Sequence, residues 1–452
     1  MAKQNPLSHK AQELVDEFSK KLAELLLEEG VTHEELGRID ERVQPLVQRI
    51  GNKTTENIAN KKVDLAVKEN VAMGLKVHHR NTIHYEYIFG VVAIESPYLW
   101  KKECYSIRPT TELFGLTSGR SDLVKRALTD FGIEESFENA SKRFDEHYKW
   151  KIGKTSIMKI VEEEGVRAEK FVAKKLEERL LIYETTDSNE APPNEILVEL
   201  DGCLIRTGAL KPAMKKGVTL KRGNPIRVRL TEWKDVRDGF ARPINNKTPI
   251  CVSGLKSYPE IVRELLGAAC LVGLTDKTKV VGVTDGGAGL SEELAAQMPN
   301  FIHILDKPHL ASHLNETADE AGKTQLQRED WVREKLEQCN VGAAGKVIDE
   351  CAKHKGRGKR RAVRMSKYLT KFKASVGYDA FVAKGYPVGS GEGESLHRSL
   401  SQKRMKLPGA WWHVRNVNPM LALRVIRQNG WWNEFWIDKP IFHQRNQPFP
   451  IS

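Results

Sequence analysis

Apolar residues recur every four positions near the start of the chain. Leu14, Phe18, Leu22 and Leu26 fall on one face of a helix spanning 8–29, which Ser8 is placed to cap. That stripe can meet either the chain's own core or a second copy. The pattern changes over 82–101, where β-branched and aromatic residues surround Gly90 and predict a β-hairpin or small sheet. Helical spacing returns at 121–130, 134–148 and 154–164. The third of these segments opens with Lys154-Thr155-Ser156, a polar lead-in of the kind that begins a recognition helix, although a plain three-helix bundle has the same pattern.

The polar stretch 184–194, with Pro192-Pro193, reads as a linker. After it come an apolar strand at 195–200, an alternating strand at 225–233, a helix at 259–274, a strand at 279–284, a short helix at 291–297 and a strand at 301–305. Strands alternating with helices predict an α/β layer. From 310 to 384 strand signals give way to helical ones, and a last helical block covers 391–429. The expected divisions are a helical region at 1–80, a hairpin and helix-turn-helix-like region at 81–185, a linker at 186–194, a core at 195–309, a helical insertion at 310–386 and the rest of the core with a Trp-rich tail at 387–452.

With 452 residues, roughly three domains are expected. Lys and Arg number 72 against 60 Asp and Glu, a net +12 that suits a polyanionic partner, nucleic acid foremost. Six scattered Cys residues without a CxxC pair predict reduced thiols rather than a zinc finger or disulfide framework. The longest near-continuous apolar stretch, 265–274, is too short to cross a membrane, and 1–12 lacks an apolar signal core. No membrane and a cytoplasmic, nucleoid-associated location are therefore expected.

Three predicted strands end in an acid, at Asp201, Asp285 and Asp306, and Asp201 and Asp285 are each followed by Gly. The carboxyl ends of strands are where open α/β sheets bind ligands. A further acidic pair, Glu392 and Glu394, lies in VGSGEGES ahead of a predicted helix. Convergent carboxylates suit Mg²⁺ or Mn²⁺, and two such ions can act on a phosphodiester. A lone Asp in such a position more often caps a turn.

The strings ELDG around Asp201, VTDGG around Asp285 and PVGSGEGESLHRSLSQKRMKLPGAWW at 387–412 resemble insertion-sequence transposases of the ISKra type. These are DDE transposases with a ribonuclease-H-like core. The resemblance covers about 195–430 and extends to 82–165. It implies a mixed five-stranded sheet with flanking helices and a helical insertion. It also implies an Asp201–Asp285–Glu394 triad, with Glu392 as competitor for the third place, and two Mg²⁺ or Mn²⁺ ions. ILDKPHLASHL resembles the family's Asp-x-x-His string, which points to His309 beside the scissile group. The implied partners are double-stranded DNA, both terminal inverted repeats and target, and further copies of the chain, as a homodimer or larger. The Cys-rich knuckle that members of the group carry is absent, with Cys104 alone in its place.

For DNA contacts, 351–373 carries ten Lys or Arg and no acid, including Lys355, Arg357, Lys359, Arg360 and Arg361. A second acid-free span, 395–433, offers Arg398, Lys403 and Arg404, and Trp411 and Trp412 are candidates to wedge between bases. Two alternatives share these features: another ribonuclease-H-like nuclease or resolvase, and a catalytically idle, domesticated DNA-binding protein. A nucleotide-binding enzyme is disfavoured, because neither TDGGAG nor VGSGEG follows the phosphate-loop pattern.

Overall fold

The computed structural model describes residues 8–102, 106–114, 119–185, 193–212, 227–287 and 289–438. They form two compact units. One comprises residues up to Gly132 with Phe137–Ile160, the other Ile133–Ser136 with Val161–Phe435. Cys104 and most of the expected linker, 186–192, lie outside the described residues.

In the first unit, α1 (His9–Glu28) is capped by Ser8, whose Oγ accepts from the Ala11 amide at 3.3 Å. The long helix α2 (Ile39–Ala72) has no counterpart in the apolar pattern. Only Ala59, Val63, Val67 and Asn70 are buried along it, a stripe too narrow to stand out among its charges. That stripe packs on the hairpin β1 (Lys76–Tyr87) and β2 (Gly90–Trp100), with Val92, Ile94 and Leu99 opposite. The hairpin starts earlier than expected and turns at Gly90, whose φ of +129° suits glycine. The strand β3 (Ser106–Ile107) and the helices α3 (Pro109–Phe114), α4 (Asp122–Glu134) and α5 (Phe137–Tyr148) follow. Ser141 Oγ donates to the Ile152 carbonyl at 2.5 Å, tying α5 to the start of α6.

The helix α6 spans Lys154–Thr185, well past the expected end at 164. Its buried stripe continues through Ala168, Val172, Leu176 and Leu180, so nothing in the side chains stops it.

The second unit is an α/β layer. Its mixed sheet has the order β6-β5-β4-β7-β8, made from β4 (Glu195–Pro212), β5 (Arg227–Pro243), β6 (Ile250–Gly254), β7 (Lys279–Thr284) and β8 (Phe301–Leu305). β5 runs antiparallel to β4 and β6, whereas β7 and β8 run parallel to β4. The helices α7 (Tyr258–Leu271) and α8 (Leu290–Gln297) pack beside these strands. Ile196, Leu197, Val198 and Leu200 are all buried, which requires cover on both faces of β4. Beyond them Cys203, Ile205 and Thr207 remain buried while Leu204 is exposed. The strand therefore continues with one covered face. Asp201 lies inside β4, not at its end as expected.

After β8 the insertion contributes α9 (Lys307–Glu320), α10 (Gln325–Asn340), α11 (Ala344–Lys353), α12 (Lys359–Lys371) and α13 (Tyr378–Val382). The chain returns through α14 (Gly391–His397), a π-helical turn at Arg398–Gln402, and α15 (Lys403–Met405). It ends its described part with α16 (Val417–Gln428) and α17 (Trp432–Ile437). No helix among the described residues is long and apolar enough to cross a membrane.

Candidate active site

The parallel register carries two of the expected acids to the same end of neighbouring strands. Glu195 pairs with Lys279 and Glu199 with Val283, an offset of 84 residues at every rung. Asp201 and Asp285 differ by the same 84 (285 − 201), two residues past the last paired rung. β8 extends the row. Thr284 pairs with Leu305, an offset of 21, and Asp306 follows Asp285 by the same 21, with its amide donating to the Thr284 carbonyl at 2.8 Å.

These acids have different surroundings. Asp306 is buried and fully engaged as the cap of α9. Its Oδ1 accepts from the His309 amide and its Oδ2 from the Ser390 amide, each at 2.8 Å. Asp285 is only half-buried. Its Oδ1 accepts from the Gly287 amide, and its carbonyl accepts from Tyr368 of α12 at 2.8 Å. A Cβ on Gly286 would lie 2.7 Å from that tyrosine oxygen, and φ there is +76°, so the Asp-Gly step is required. Tyr378 of α13 likewise donates to the Leu305 carbonyl at 3.0 Å. The insertion thus buttresses the ends of β7 and β8.

Asp201 faces α14. His397 stands between Asp201 and its cross-strand partner Asp238, with Nδ1 2.7 Å from Asp238 and Nε2 3.3 Å from Asp201. Burial works to discharge this imidazole. The neighbouring carboxylates of Asp201 and Asp238, the latter hydrogen-bonded to Nδ1, outweigh it and push the ring up to about 11. Burial would also raise the Asp201 carboxyl. The close His397 ring and the Gly202 amide bond, with the charges of His397 and His309, hold it below its ordinary value instead. His309, half-exposed at the first turn of α9, therefore lies close enough to act on Asp201.

Three contacts fix the segment bearing the two glutamates. Ser390 is held by Asp306. Glu392 forms a bidentate pair with the buried Arg242, at 2.8 and 2.6 Å. The Gly393 amide donates to Glu199 Oε2 at 2.6 Å, and a Cβ at position 393 would sit 2.9 Å from that oxygen. Burial pushes the Glu199 carboxyl up to about 8 despite this bond, and its Oε1 has no partner among the described residues. Glu394 is exposed, and no described residue bonds or pairs with its carboxylate. It precedes His397 by three positions and so shares that helix face.

No group of three or more His, Cys, Asp or Glu side chains converges tightly enough to hold a metal among the described residues. The donors on the row are nevertheless hard oxygens, and the free Glu394 carboxylate lies one helical turn from the His397–Asp201 contact. Their chemistry suits Mg²⁺ or Mn²⁺.

The expected DNA contacts divide. Lys355, Arg357, Lys359 and Arg360 are exposed and pair with no carboxylate among the described residues. Arg361 is tied to Glu316 and to His313. Arg398 is exposed on the π-helical turn. Lys403 is exposed but pairs with Glu134, and Lys154 pairs with Glu138 at 2.7 Å beside the exposed Thr155 and half-buried Ser156. Two expectations are corrected. Arg404 is buried with its guanidinium 4.8 Å from the Trp412 ring, and Trp412 is buried with Nε1 donating to the Met405 carbonyl at 3.1 Å. Both side chains pack inside the protein, and the Trp412 backbone bridges to Thr207 of β4. Trp411 is only half-buried.

His397, Asp238, Glu199 and Arg242 escaped the sequence reading. Glu199 and His397 stand inside the quoted strings ELDG and PVGSGEGESLHRSLSQKRMKLPGAWW without being candidates there. Comparison of the sequence with protein-family models finds no match, and a search of curated proteins finds none either.

Proposed function

We propose that the chain is a DNA transposase of an insertion sequence, with a ribonuclease-H-like core and an Asp201–Asp285–Glu394 triad. The observation that carries this reading is the β4–β7 register, whose 84-residue offset continues to Asp201 and Asp285 beyond its last pair, with Asp201 contacted by a helix whose one unengaged acid is Glu394. The mixed five-stranded sheet with flanking helices supports it. So does α12, which touches Asp285 through Tyr368 and carries the exposed Lys359, Arg360, Arg364 and Lys367.

In this reading Asp201, Asp285 and Glu394 would hold Mg²⁺ or Mn²⁺, which supplies Lewis-acid activation of a water or a 3′-hydroxyl when bound. The protein's own residues do the rest. His397 orients Asp201 from behind, in contact with Asp238. Glu199, Arg242 and Asp306 fix the helix start that presents Glu394. His309 faces the same end of the sheet, placed to orient a phosphate oxygen or water.

The test uses a labelled duplex carrying the DNA that flanks the reading frame. Asp201→Asn, Asp285→Asn and Glu394→Gln should each abolish Mg²⁺-dependent cleavage and strand transfer while leaving the gel-shift affinity unchanged. Persistent cleavage in any variant removes that residue from the triad, and strand transfer by the native chain separates a transposase from a hydrolytic nuclease.

A further inference from the structure

The helix that presents Glu394 and His397 does not run on as an α-helix. At Arg398–Gln402 it widens into a π-helical turn, where the Lys403 amide bonds the Arg398 carbonyl, five residues back, and not that of Ser399. The α-helical pairing is thus broken at Ser399, beside the buried Leu400 and Ser401. An acceptor left without a donor in such a place is costly.

Donors come from α16. Arg424 is 5% exposed, and its guanidinium donates to the Ser399 carbonyl through Nη2 and to the Leu400 carbonyl through Nε. Its Nη1 donates to the Ile133 carbonyl and lies 3.3 Å from Glu134 Oε1. All of these residues belong to the second unit. Packing alone does not call for a guanidinium here, since an apolar side chain would fill the space without giving up the hydration of a charge. Other contacts fix the chain on both sides of the turn. Upstream, Arg242 holds Glu392, Glu199 holds Gly393 and Asp238 holds His397. Downstream, Arg404 lies against the Trp412 ring, and the Trp412 backbone bonds Arg206 and Gly208 of β4. The extra residue of the turn rotates one side against the other by about 100° relative to an unbroken α-helix. An α-helix through this stretch could keep one set of anchors but not both.

We propose that Arg424 is a positioning residue for the acids. By occupying the carbonyls of the π-helical turn it keeps the turn open, and so holds Glu394 and His397 at the angle at which they meet Asp201. The inference rests on the triad reading and adds to it a residue that touches neither cation nor DNA. A geometric role and a role of charge have opposite signs. Asp238 acts on the Arg424 charge, so the guanidinium lies close enough to oppose a second cation at the acids. Removing that charge alone would tighten metal binding, whereas losing the position of Glu394 and His397 loosens it.

The experiment follows the binding of Mn²⁺ alone to the full chain, read from the electron paramagnetic resonance signal of the free ion. Arg424→Gln should weaken the affinity about tenfold. Arg424→Lys, which keeps the charge but cannot span three carbonyls, should weaken it by a similar factor. Asn429→Ala is the control for lost stability, because Asn429 ends the same helix and both its amide atoms bond Cys251 of β6, at 2.8 and 3.0 Å. It should lower the Tm and leave Mn²⁺ affinity native. Unchanged or tighter binding in Arg424→Gln overturns the proposal while the triad reading stands, as does an equal loss in Asn429→Ala. If Asp201→Asn leaves the native affinity unchanged, the triad reading fails and this inference with it. Should the Arg424 variants not fold, amide exchange of the native chain decides. Mn²⁺ should slow exchange at 398–403 together with 391–397, and slowing confined to 391–397 overturns the proposal.

Discussion

Glu392 and Glu394 are separated by one glycine and have opposite fates. Gly393 must pass within hydrogen-bonding distance of Glu199, and the backbone that achieves this aims Glu392 at Arg242 and leaves Glu394 in solvent. Stability and chemistry should therefore separate between them. Glu392→Gln keeps the three backbone carbonyls around Arg242 but removes a bidentate charged acceptor from a buried guanidinium. A loss of about 1–3 kcal/mol is expected in denaturant unfolding, and Glu394→Gln should melt like the native chain. If the Glu392 variant unfolds normally yet loses cleavage, the two residues have been assigned the wrong way round. The resemblance favours Glu394 over Glu392 as the third acid, but spacing and composition alone do not rank them. The ranking depends on Arg242, 150 residues upstream on another strand, and on Glu199, and neither spacing nor composition reveals that proximity.

At the scale of elements, β7 and β8 were legible to the residue, because each is a short apolar run closed by an acid where a helix or turn takes over. β4 was not, because Asp201-Gly202 reads as a turn, although the structure keeps it extended against β5. β6 is five residues long and offers too little pattern to notice, and α2 buries too few side chains. β8 also carries a titrating group. His303 holds Thr284 Oγ1 at 2.9 Å through Nε2 and Ser375 Oγ at 2.9 Å through Nδ1, joining β7, β8 and the turn after α12. Burial pushes its ring down to about 4. Glu292 pulls the other way, and Lys371, which pairs with Glu292, adds to the lowering. A folded value below the unfolded ~6.5 means that the unfolded chain binds the extra proton between these limits. The stabilisation is then complete above pH 6.5 and lost as pH falls toward 4. Unfolding free energies measured at pH 4.5 and 6.5 should differ less in His303→Gln than in the native chain, by on the order of 1–2 kcal/mol. An identical difference in both would show that His303 titrates normally.

Across the whole chain, charge is segregated. The net +12 is the sum of an acidic N-terminal helical pair and a remainder whose densest cationic stretch is 351–373. Sequence alone cannot say whether such a run is a binding surface or a solvated face, since both are helical and polar. In the proposed reading it binds: the run's helix α12 contacts Asp285 through Tyr368, and Lys355, Lys359, Arg360, Arg364 and Lys367 are exposed with no carboxylate partner among the described residues. On that reading, unpaired cations on the helix that touches Asp285 create a local field that draws a phosphate backbone toward acids that alone would repel it. Replacing Lys355, Lys359 and Arg360 together by Gln should therefore weaken binding to every duplex by a similar factor, with no change in sequence preference. Each lost phosphate contact lowers the slope of log affinity against log salt by about 0.9, so a drop of roughly 2–3 is expected. The melting temperature should not move, because none of the three side chains is buried or ion-paired. An unchanged slope would mean that these cations only solvate the insertion. Then the DNA strand would have to reach Asp201 and Asp285 past another surface, of which Arg398 on the π-helical turn is the nearest exposed cation in sequence to Glu394.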